Sequence, residues 1–237
     1  MSHYLCHEHP EVLSCETRIV ASRPGAVLLK ESYFYPGGGG QLTDRGTIST
    51  QAGSFDVASI EEAGGQFWHV LSQPVELHGD AFVSVDPAFR SLMCQLHTGL
   101  HVVNALVFQA FNGALVTGVQ MNDDGTARID FDLHEASNDQ LRALEPAIND
   151  AIRQDLPVRA VYADAMRLRE ESGLLRSRSV APPTQPDGSV RIIEIAGLDQ
   201  QACGGTHLSS TGQSRPIRIL KIDNKGRHNR RVRIGLV

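Results

Sequence analysis

The chain has 237 residues, of which 41% are hydrophobic, and it carries a formal net charge of −5 at pH 7. This length can bury one large core or two modest ones, so disulfides or other staples are not needed for folding and two domains are compatible with it. The acidic balance, taken alone, speaks against a nucleic-acid-binding protein.

The four cysteines are scattered, and the first ten residues lack the basic start and the apolar run of an export signal. The sequence also lacks an uninterrupted apolar stretch of roughly 18 residues, which a membrane helix needs. We therefore expect a cytoplasmic protein without membrane segments, whose thiols are reduced or bind metal. Cys6, His7 and His9 could hold a metal, although terminal cysteines and histidines more often have no role.

The N-terminal part alternates short apolar segments with turns. Six strands are predicted, over residues 12–20, 26–35, 46–49, 55–60, 66–71 and 81–85. Short strands in such close succession favour a small β-barrel. Because Asp86-Pro87 forms a natural boundary, residues 1–87 are predicted to form an N-terminal β-barrel domain and residues 88–237 a second domain.

A glycine run, Gly37 to Gly40, follows the second predicted strand and precedes Gln41. A phosphate-binding loop would continue with Gly-Lys-Ser or Gly-Lys-Thr and open a helix, and neither pattern is present. We interpret the run as a flexible loop or as a site of close backbone approach, with a plain turn as the alternative.

A long helix is predicted from Pro87 to Phe111. His97 and His101 stand four positions apart, so both imidazoles project from one helix face and form half of a zinc site. A zinc protease of the H-E-x-x-H type is excluded, because Thr98 replaces the glutamate that would act as its base. Cys94 lies on much the same face and is interpreted as a core thiol, with a competing ligand as the alternative.

Beyond this helix the pattern mixes strands and helices. Strands are predicted over residues 116–121, 127–133, 158–162 and 191–195, and a hairpin over 217–222 and 231–236. One helix is predicted to begin at Ser137 or Asn138, and another covers 164–176. Pro146 would kink the first of these helices or mark a later start.

The second half of the metal site is Cys203-Gly204-Gly205-Thr206-His207, where a thiolate and an imidazole flank a glycine pair that can fold over a cation. The predicted Zn²⁺ ligands are His97, His101, Cys203 and His207. Four protein ligands would make a closed structural site, whereas three ligands and a water would make a catalytic one. The sequence leaves both open, and we favour an open or openable site.

The C-terminal hairpin is strongly basic. Between Arg215 and Arg233 eight basic residues accompany one acidic residue, which gives a local charge of +7 within a chain of −5 and leaves −12 elsewhere. Such a patch can contact phosphates, although the same charges on a solvated strand would merely protect an edge. The candidate phosphate-binding residues are Lys221, Lys225, Arg227, Arg230 and Arg231.

The two ligand motifs, His97-Thr98-Gly99-Leu100-His101 and Cys203-Gly204-Gly205-Thr206-His207-Leu208, resemble the paired zinc motifs of the alanyl-tRNA synthetase editing domain and its free-standing AlaX relatives. The resemblance extends over most of the chain, through residues 34–41, 117–120 and 229–231. It implies an α+β fold in which the small β-barrel precedes an α/β two-layer editing domain with a zinc site.

The resemblance also implies an activity, namely zinc-dependent hydrolysis in trans of mischarged tRNA(Ala), which releases serine or glycine and supports translation fidelity. A pocket that hydrogen-bonds the serine hydroxyl can avoid hydrolysing the alanyl ester, because the methyl group of alanine would leave the pocket's polar groups unpaired. By resemblance, Thr98 and Gln120 are the candidates that read the serine hydroxyl, although each could be an ordinary helix or strand residue. Four loop residues are implied to lie beside the pocket: Gly38, Gly39, Gly40 and Gln41.

Two other functions stay open at the level of sequence. The zinc could be a structural clip in a non-catalytic tRNA-binding module, or the same fold could hydrolyse small esters or amides. The basic hairpin argues against the small-ester hydrolase, because such a substrate offers no phosphates to bind. The sequence carries no nucleotide-binding fingerprint, so we do not expect a complete synthetase. It does not determine the preference between serine and glycine or the oligomeric state.

Overall fold

The computed structural model describes residues 5–133, 136–170, 173–176, 184–185, 187–226 and 228–237. Within them the predicted α+β class is confirmed, because a closed barrel is followed by a long helix, two further sheets and shorter helices. The chain forms two compact units. The first contains the described residues up to Gly38 together with Leu42–Ser91, and the second contains Gly39–Gln41 together with Leu92–Val237.

The first unit is built around a closed barrel of six antiparallel strands in the order β1-β2-β5-β4-β3-β6. The strands are β1 Ser14–Arg23, β2 Ala26–Leu29, β3 Gly46–Thr50, β4 Gly53–Ala63, β5 Gln66–Leu71 and β6 Gly79–Val85, and the short helix α1 Leu5–Glu8 precedes them. In β6 the residues Ala81, Val83 and Val85 are buried in the barrel core and alternate with more exposed neighbours. This is the period of two that a half-buried strand requires.

The second strand is shorter than the predicted 26–35, because it ends at Leu29. Beyond it the backbone N–H of Tyr35 donates to Oδ2 of Asp44 at 2.6 Å, and the N–H of Asp44 donates back to the Tyr35 carbonyl at 2.9 Å. The buried guanidinium of Arg90 pairs with Asp44 and donates to the Tyr33 carbonyl at 2.7 Å. These bonds satisfy the backbone away from the sheet, so they override the strand propensity of residues 30–35.

The second unit contains most of the long helix α2, Pro87–Ala110, and two antiparallel sheets in the orders β11-β10-β9 and β12-β13-β8-β7. The strands are β7 Leu115–Met121, β8 Thr126–Asp132, β9 Val158–Ala163, β10 Val190–Ile195, β11 Asp199–Ala202, β12 Ile217–Asn224 and β13 Asn229–Leu236. The shorter helices are α3 Asn138–Arg142, α4 Glu145–Arg153 and α5 Ala165–Glu170, with one 3-10 turn at Thr211–Gln213.

Three details differ from the predicted elements. Ser137 and Gln140 form a capping box at α3, and Pro146 lies at the start of α4, so the single predicted helix is two helices. The predicted helix 164–176 is too long, since Gly173 has a φ of +111°, outside the helical region. Strand β11 has no counterpart among the predicted elements. None of the helices in the described ranges combines the length and the apolar character that crossing a membrane requires.

Candidate metal centre

Four side chains from two distant parts of the sequence meet in the second unit: His97, His101, Cys203 and His207. Their ligand atoms all lie within 4.8 Å of one another. Sγ of Cys203 is 3.3 Å from Nε2 of His97 and 3.4 Å from Nε2 of His207. His97 and His101 are buried, whereas Cys203 and His207 are partly exposed. The four residues predicted as ligands are therefore together in space.

The alternative ligands considered from the sequence are elsewhere. Sγ of the buried Cys94 donates to Oγ1 of Thr206 at 3.3 Å, which makes it part of the packing behind the ligand loop. Cys6 and His7 are buried in the first unit. Across the described part of the chain, the four-residue cluster is the one group of at least three such side chains that can hold a metal ion.

Two local structures deliver the ligands. On α2 the spacing of four residues places the rings of His97 and His101 side by side, with centroids 5.3 Å apart and planes tilted by 59°. The antiparallel β10–β11 hairpin ends directly before Cys203. The buried guanidinium of Arg191, on β10, donates to the carbonyls of Cys203 at 3.1 Å and Gly205 at 2.9 Å. These charge-assisted bonds hold the loop in its folded-back course.

Gly205 passes directly against the helix. A Cβ at this position would overlap the imidazole ring of His97 and would lie 2.8 Å from Oε1 of Gln41. Any side chain would therefore push the loop away from α2. This close approach is the physical reason for a glycine between the two ligands of the loop.

Two of the imidazoles have a polar partner at Nδ1 and turn Nε2 toward Cys203. Nδ1 of His97 lies 2.8 Å from Oε1 of Gln41, and Nδ1 of His207 lies 3.2 Å from Oγ1 of Thr98. Because an amide oxygen can only accept, the ring proton of His97 belongs on Nδ1 and the lone pair on Nε2. Partners at the second nitrogen fix the tautomer and the orientation of a metal-binding histidine.

The third imidazole is backed by a polar network. Nδ1 of His101 lies 2.8 Å from the side-chain amide of Gln201 and 3.7 Å from Oδ2 of Asp199. Arg176 pairs with Asp199 at 2.7 Å. Sequence reasoning missed Asp199 and Gln201. A signal was available, since Asp199 and Gln201 share one face of the strand that ends directly before Cys203, a predicted ligand.

The cluster favours a thiolate. Burial raises the pKa of the Cys203 thiol, but the three imidazoles outweigh burial and bring that pKa well below its ordinary value. Burial lowers the pKa of His101, yet the Cys203 and Asp199 charges reverse the effect and raise it to about 9. Burial and the neighbouring His97 lower the pKa of His207 well below its ordinary value. Anionic Cys203 and neutral His207 are the forms that bind metal, whereas His101 must release its proton before it can bind one.

The two residues proposed from resemblance to read the substrate have different surroundings. Thr98 is 1% exposed, and its Oγ1 accepts from the backbone N–H of Leu208 at 3.1 Å. Gln120 is exposed on β7, where it accepts from Nε of Arg128 at 3.1 Å and donates to Oδ1 of Asn122 at 3.2 Å. The structure thus brings Thr98 against the loop that carries His207, and Gln120 to a solvent-facing position.

The predicted loop is divided between the two units. In the first, the Tyr35 hydroxyl donates to the Gly38 carbonyl at 3.1 Å. In the second, which includes Gly39, the carbonyl of Gly40 accepts from the N–H of Met121 at 2.8 Å. Gly40 has a φ of +84°, and a Cβ there would lie 2.5 Å from the Val119 carbonyl oxygen. Close backbone approach, not flexibility, explains this glycine.

The basic hairpin is partly neutralised by its own neighbours. Arg231 forms two parallel bonds of 2.8 Å to the carboxylate of Asp130. Asp223 accepts from Lys221 at 2.7 Å and lies 3.4 Å from Arg233. Lys225 is exposed and Arg230 is partly exposed, while Arg227 lies outside the described residues. The predicted cationic strip therefore contains both paired and solvent-facing charges.

Two family descriptions match this chain, one in its N-terminal part and one in its C-terminal part. Residues 190–233 match the family described as threonyl and alanyl tRNA synthetase second additional domain, and residues 9–84 match tRNA synthetases class II (A). An alanine–tRNA ligase of Methanopyrus kandleri is 31% identical over 82% of this chain, which spans 21% of that relative.

Shorter relatives are similar along most of their length. The alanyl-tRNA editing protein AlaX-M of Methanosarcina barkeri is 32% identical over 89% of this chain and 88% of the relative. The AlaX-M protein of Saccharolobus solfataricus is 31% identical over 92% of this chain and 91% of the relative. Since the similarity covers nearly all of both chains, the chain belongs to the AlaX-M family of alanyl-tRNA editing proteins.

Proposed function

We propose that this protein is a zinc-dependent deacylase that acts in trans in the cytoplasm on mischarged tRNA(Ala) and hydrolyses the ester that joins serine or glycine to the tRNA. The observation that carries the proposal is the cluster of three imidazoles and one thiolate within 4.8 Å. The relatives support the substrate class, because the AlaX-M proteins are named alanyl-tRNA editing proteins.

The donor set fits zinc. Three imidazole nitrogens and one thiolate are ligands that zinc prefers, whereas calcium and magnesium take oxygen ligands. Four donors from two segments also match the usual coordination number of zinc in proteins. When bound, zinc supplies a Lewis acid for an ester carbonyl and activates water near neutral pH.

The protein's own residues determine how the ester approaches. His97 and His101 are 5% and 6% exposed, whereas Cys203 and His207 are partly exposed, so we propose that the substrate approaches from the side of Cys203 and His207. The contact of His207 with Thr98, at 3.2 Å, is longer than the 2.8 Å contact that holds His97. We propose that His207 is the ligand that can leave the metal, which would give the openable site that a hydrolase needs and a purely structural site does not.

Selectivity and tRNA binding are assigned to different surfaces. We propose that the exposed amide of Gln120 reads the serine hydroxyl, whereas Thr98 acts by placing His207. The exposed Lys225 and the partly exposed Arg230 are proposed to contact tRNA phosphates. A methyl group in place of the hydroxyl leaves a polar reader unpaired, which disfavours alanine.

One observation favours a second candidate, a non-catalytic tRNA-binding module with a structural zinc. All four cluster residues can bind at once, and four protein ligands would close the site. The second candidate predicts zinc retention and tRNA binding without turnover.

Amino-acid release from seryl-, glycyl- and alanyl-tRNA(Ala) tests the proposal, with a free serine ester as a fourth substrate. We expect fast release of serine or glycine, slow release of alanine, and loss of activity in Cys203→Ala but not in Cys15→Ala. Cys15 is the matched control because it is a free cysteine on β1 of the barrel. Absence of release from every charged tRNA would favour the non-catalytic module, and equal hydrolysis of the free ester would favour a small-ester hydrolase.

A further inference from the structure

We infer that Gln41 is a positioning residue of the metal site. Its side chain joins the half of the site on α2 to the half in the Cys203–His207 loop. The inference rests on the zinc-binding part of the proposed function. It assigns Gln41 no contact with the substrate and gives it a role in metal affinity instead.

The side-chain amide of Gln41 makes contacts in two directions. Its Oε1 lies 2.8 Å from Nδ1 of His97 and accepts from the backbone N–H of Thr206 at 3.1 Å. Its Nε2 donates to Oγ1 of Thr206 at 2.8 Å. His97 belongs to the first half-site, and Thr206 directly precedes the ligand His207 in the second. One side chain therefore bridges segments that lie more than a hundred residues apart in sequence.

The bridge is buried, and both the oxygen and the nitrogen of the Gln41 amide are hydrogen-bonded. Gln41 is 4% exposed and Thr206 is 2% exposed, so water cannot easily replace a broken bond. Oγ1 of Thr206 also accepts from Sγ of Cys94, on the same helix as His97. The amide, the hydroxyl and the thiol thus form a short chain of hydrogen bonds behind the ligands.

The backbone next to Gln41 is itself held in place. The carbonyl of Gly40 accepts from the N–H of Met121, and Gly40 leaves no room for a Cβ against Val119. Gln41 follows directly and is thereby anchored to the end of β7. A side chain held by its backbone loses little freedom when it orients a ligand, which makes it an effective support.

These contacts of Gln41 orient the predicted ligands His97 and His207. An acceptor at Nδ1 holds the His97 ring with Nε2 toward the cluster, and the same amide holds the backbone next to His207. Removing comparable partners of metal-binding histidines typically lowers metal affinity about 10–100-fold. Gln41 acts on both halves, so its removal should reach that range.

Three full-length variants test the inference. Gln41→Leu keeps a similar volume and removes all three hydrogen bonds. Gln41→Glu keeps the acceptors for His97 and for the Thr206 N–H, and the Thr206 hydroxyl can donate to the second carboxylate oxygen. The matched control is Gln213→Leu. Gln213 accepts from the N–H of Ser209 at 3.3 Å and donates to its hydroxyl at 2.8 Å, in an exposed position without an imidazole contact.

Zinc affinity is measured by competition with a chromogenic chelator, and the Co²⁺-substituted proteins are compared by their visible absorption spectra. We expect Gln41→Leu to lower affinity about 10–100-fold and to shift the Co²⁺ bands. Gln41→Glu and Gln213→Leu should stay within about threefold of wild type, with unshifted bands. Melting temperatures of the zinc-free proteins measure general destabilisation. A shift of the Co²⁺ bands reports a change at the metal, which general destabilisation does not produce.

Three results would overturn the inference. Gln41→Leu could bind zinc like wild type with the same spectrum, or Gln213→Leu could weaken zinc as much as Gln41→Leu does. The third such result is a loss of zinc affinity in Gln41→Glu as large as in Gln41→Leu, because the glutamate keeps the acceptor on which the proposed role of Gln41 depends. A wild-type protein that binds no zinc would instead remove the metal part of the proposed function, and this inference with it.

Discussion

Oγ1 of Thr98 lies 3.2 Å from Nδ1 of His207 and accepts the backbone N–H of Leu208 at 3.1 Å. A helix residue between the predicted ligands His97 and His101 thereby contacts both the ring of His207 and the backbone of the residue after it. We expect the hydroxyl to support His207 in the proposed metal site.

Thr98→Val should therefore weaken zinc binding about 10-fold or more and lower stability, because the Leu208 N–H loses its acceptor. An unsatisfied donor at this partly buried position costs about 1–3 kcal/mol, which is roughly a 2–12 °C fall in melting temperature for a chain of this size. Thr98→Ser keeps the hydroxyl and is the control. A valine variant with normal zinc affinity but a lower ratio of serine to alanine release would show that Thr98 reads the substrate.

The ligand assignment predicts about one zinc per chain in the wild type. Cys203→Ala and His101→Ala should lose most of it, since removal of one donor weakens the whole chelate. Cys94→Ala should retain zinc, because its thiol donates to Thr206 and is not part of the cluster. Elemental analysis of the purified variants is the measurement. Full retention in both ligand variants, or loss in Cys94→Ala, would contradict this assignment.

A buried histidine in the barrel predicts acid sensitivity. His69 is 2% exposed, and Nε2 lies 2.8 Å from Oγ of Ser32. Burial lowers the pKa of His69 to about 4, with a smaller opposing effect from the backbone of Val27. Between about pH 6.5 and 4 the unfolded chain binds a proton that the folded barrel does not, so this contribution to stability is lost as the pH falls.

The expected loss from His69 is about 2 kcal/mol between pH 7 and pH 5. Urea unfolding at both pH values measures it in the wild type, in His69→Gln and in His78→Gln. His69→Gln should show the weaker pH dependence, whereas the exposed His78 should make no difference when replaced. Equal pH dependence in all three proteins would mean that His69 is accessible to protons in the folded state.

The hairpin charges should separate into binding and structural groups. Each phosphate-binding side chain that is removed should flatten the slope of log affinity for tRNA against log salt by about one unit. Lys225→Ala with Arg230→Ala should therefore lower the slope by about one to two units. Arg231→Ala should leave the slope unchanged and lower the melting temperature, because Asp130 is buried and loses its bidentate partner.

Filter binding at several salt concentrations measures these slopes, and zinc content should be normal in every variant. An unchanged slope in the double variant would make the hairpin a solvated strand face and transfer the tRNA-binding surface elsewhere. A reduced slope in Arg231→Ala would show that this pair opens when tRNA binds.

The sequence alone determined the elements with strong local patterns. Alternating apolar residues predict the barrel strands, and helical spacing predicts α2 with His97 and His101 on one face. The second predicted ligand pair was recognisable because it complements the His97–His101 pair and resembles a known family motif, with a glycine pair that lets the loop fold back over a cation. These features depend on near neighbours, so they can be read without the fold.

Only the tertiary structure decided which side chains support the ligands. Gln41 contacts His97 across 56 residues and Thr206 across 165, and Arg231 contacts Asp130 across 101. No local pattern specifies such pairs, because they arise when separate elements pack and must satisfy buried polar groups. Packing also ended β2 at Leu29 and placed Gln41, a predicted loop residue, in a buried position where it contacts both His97 and Thr206.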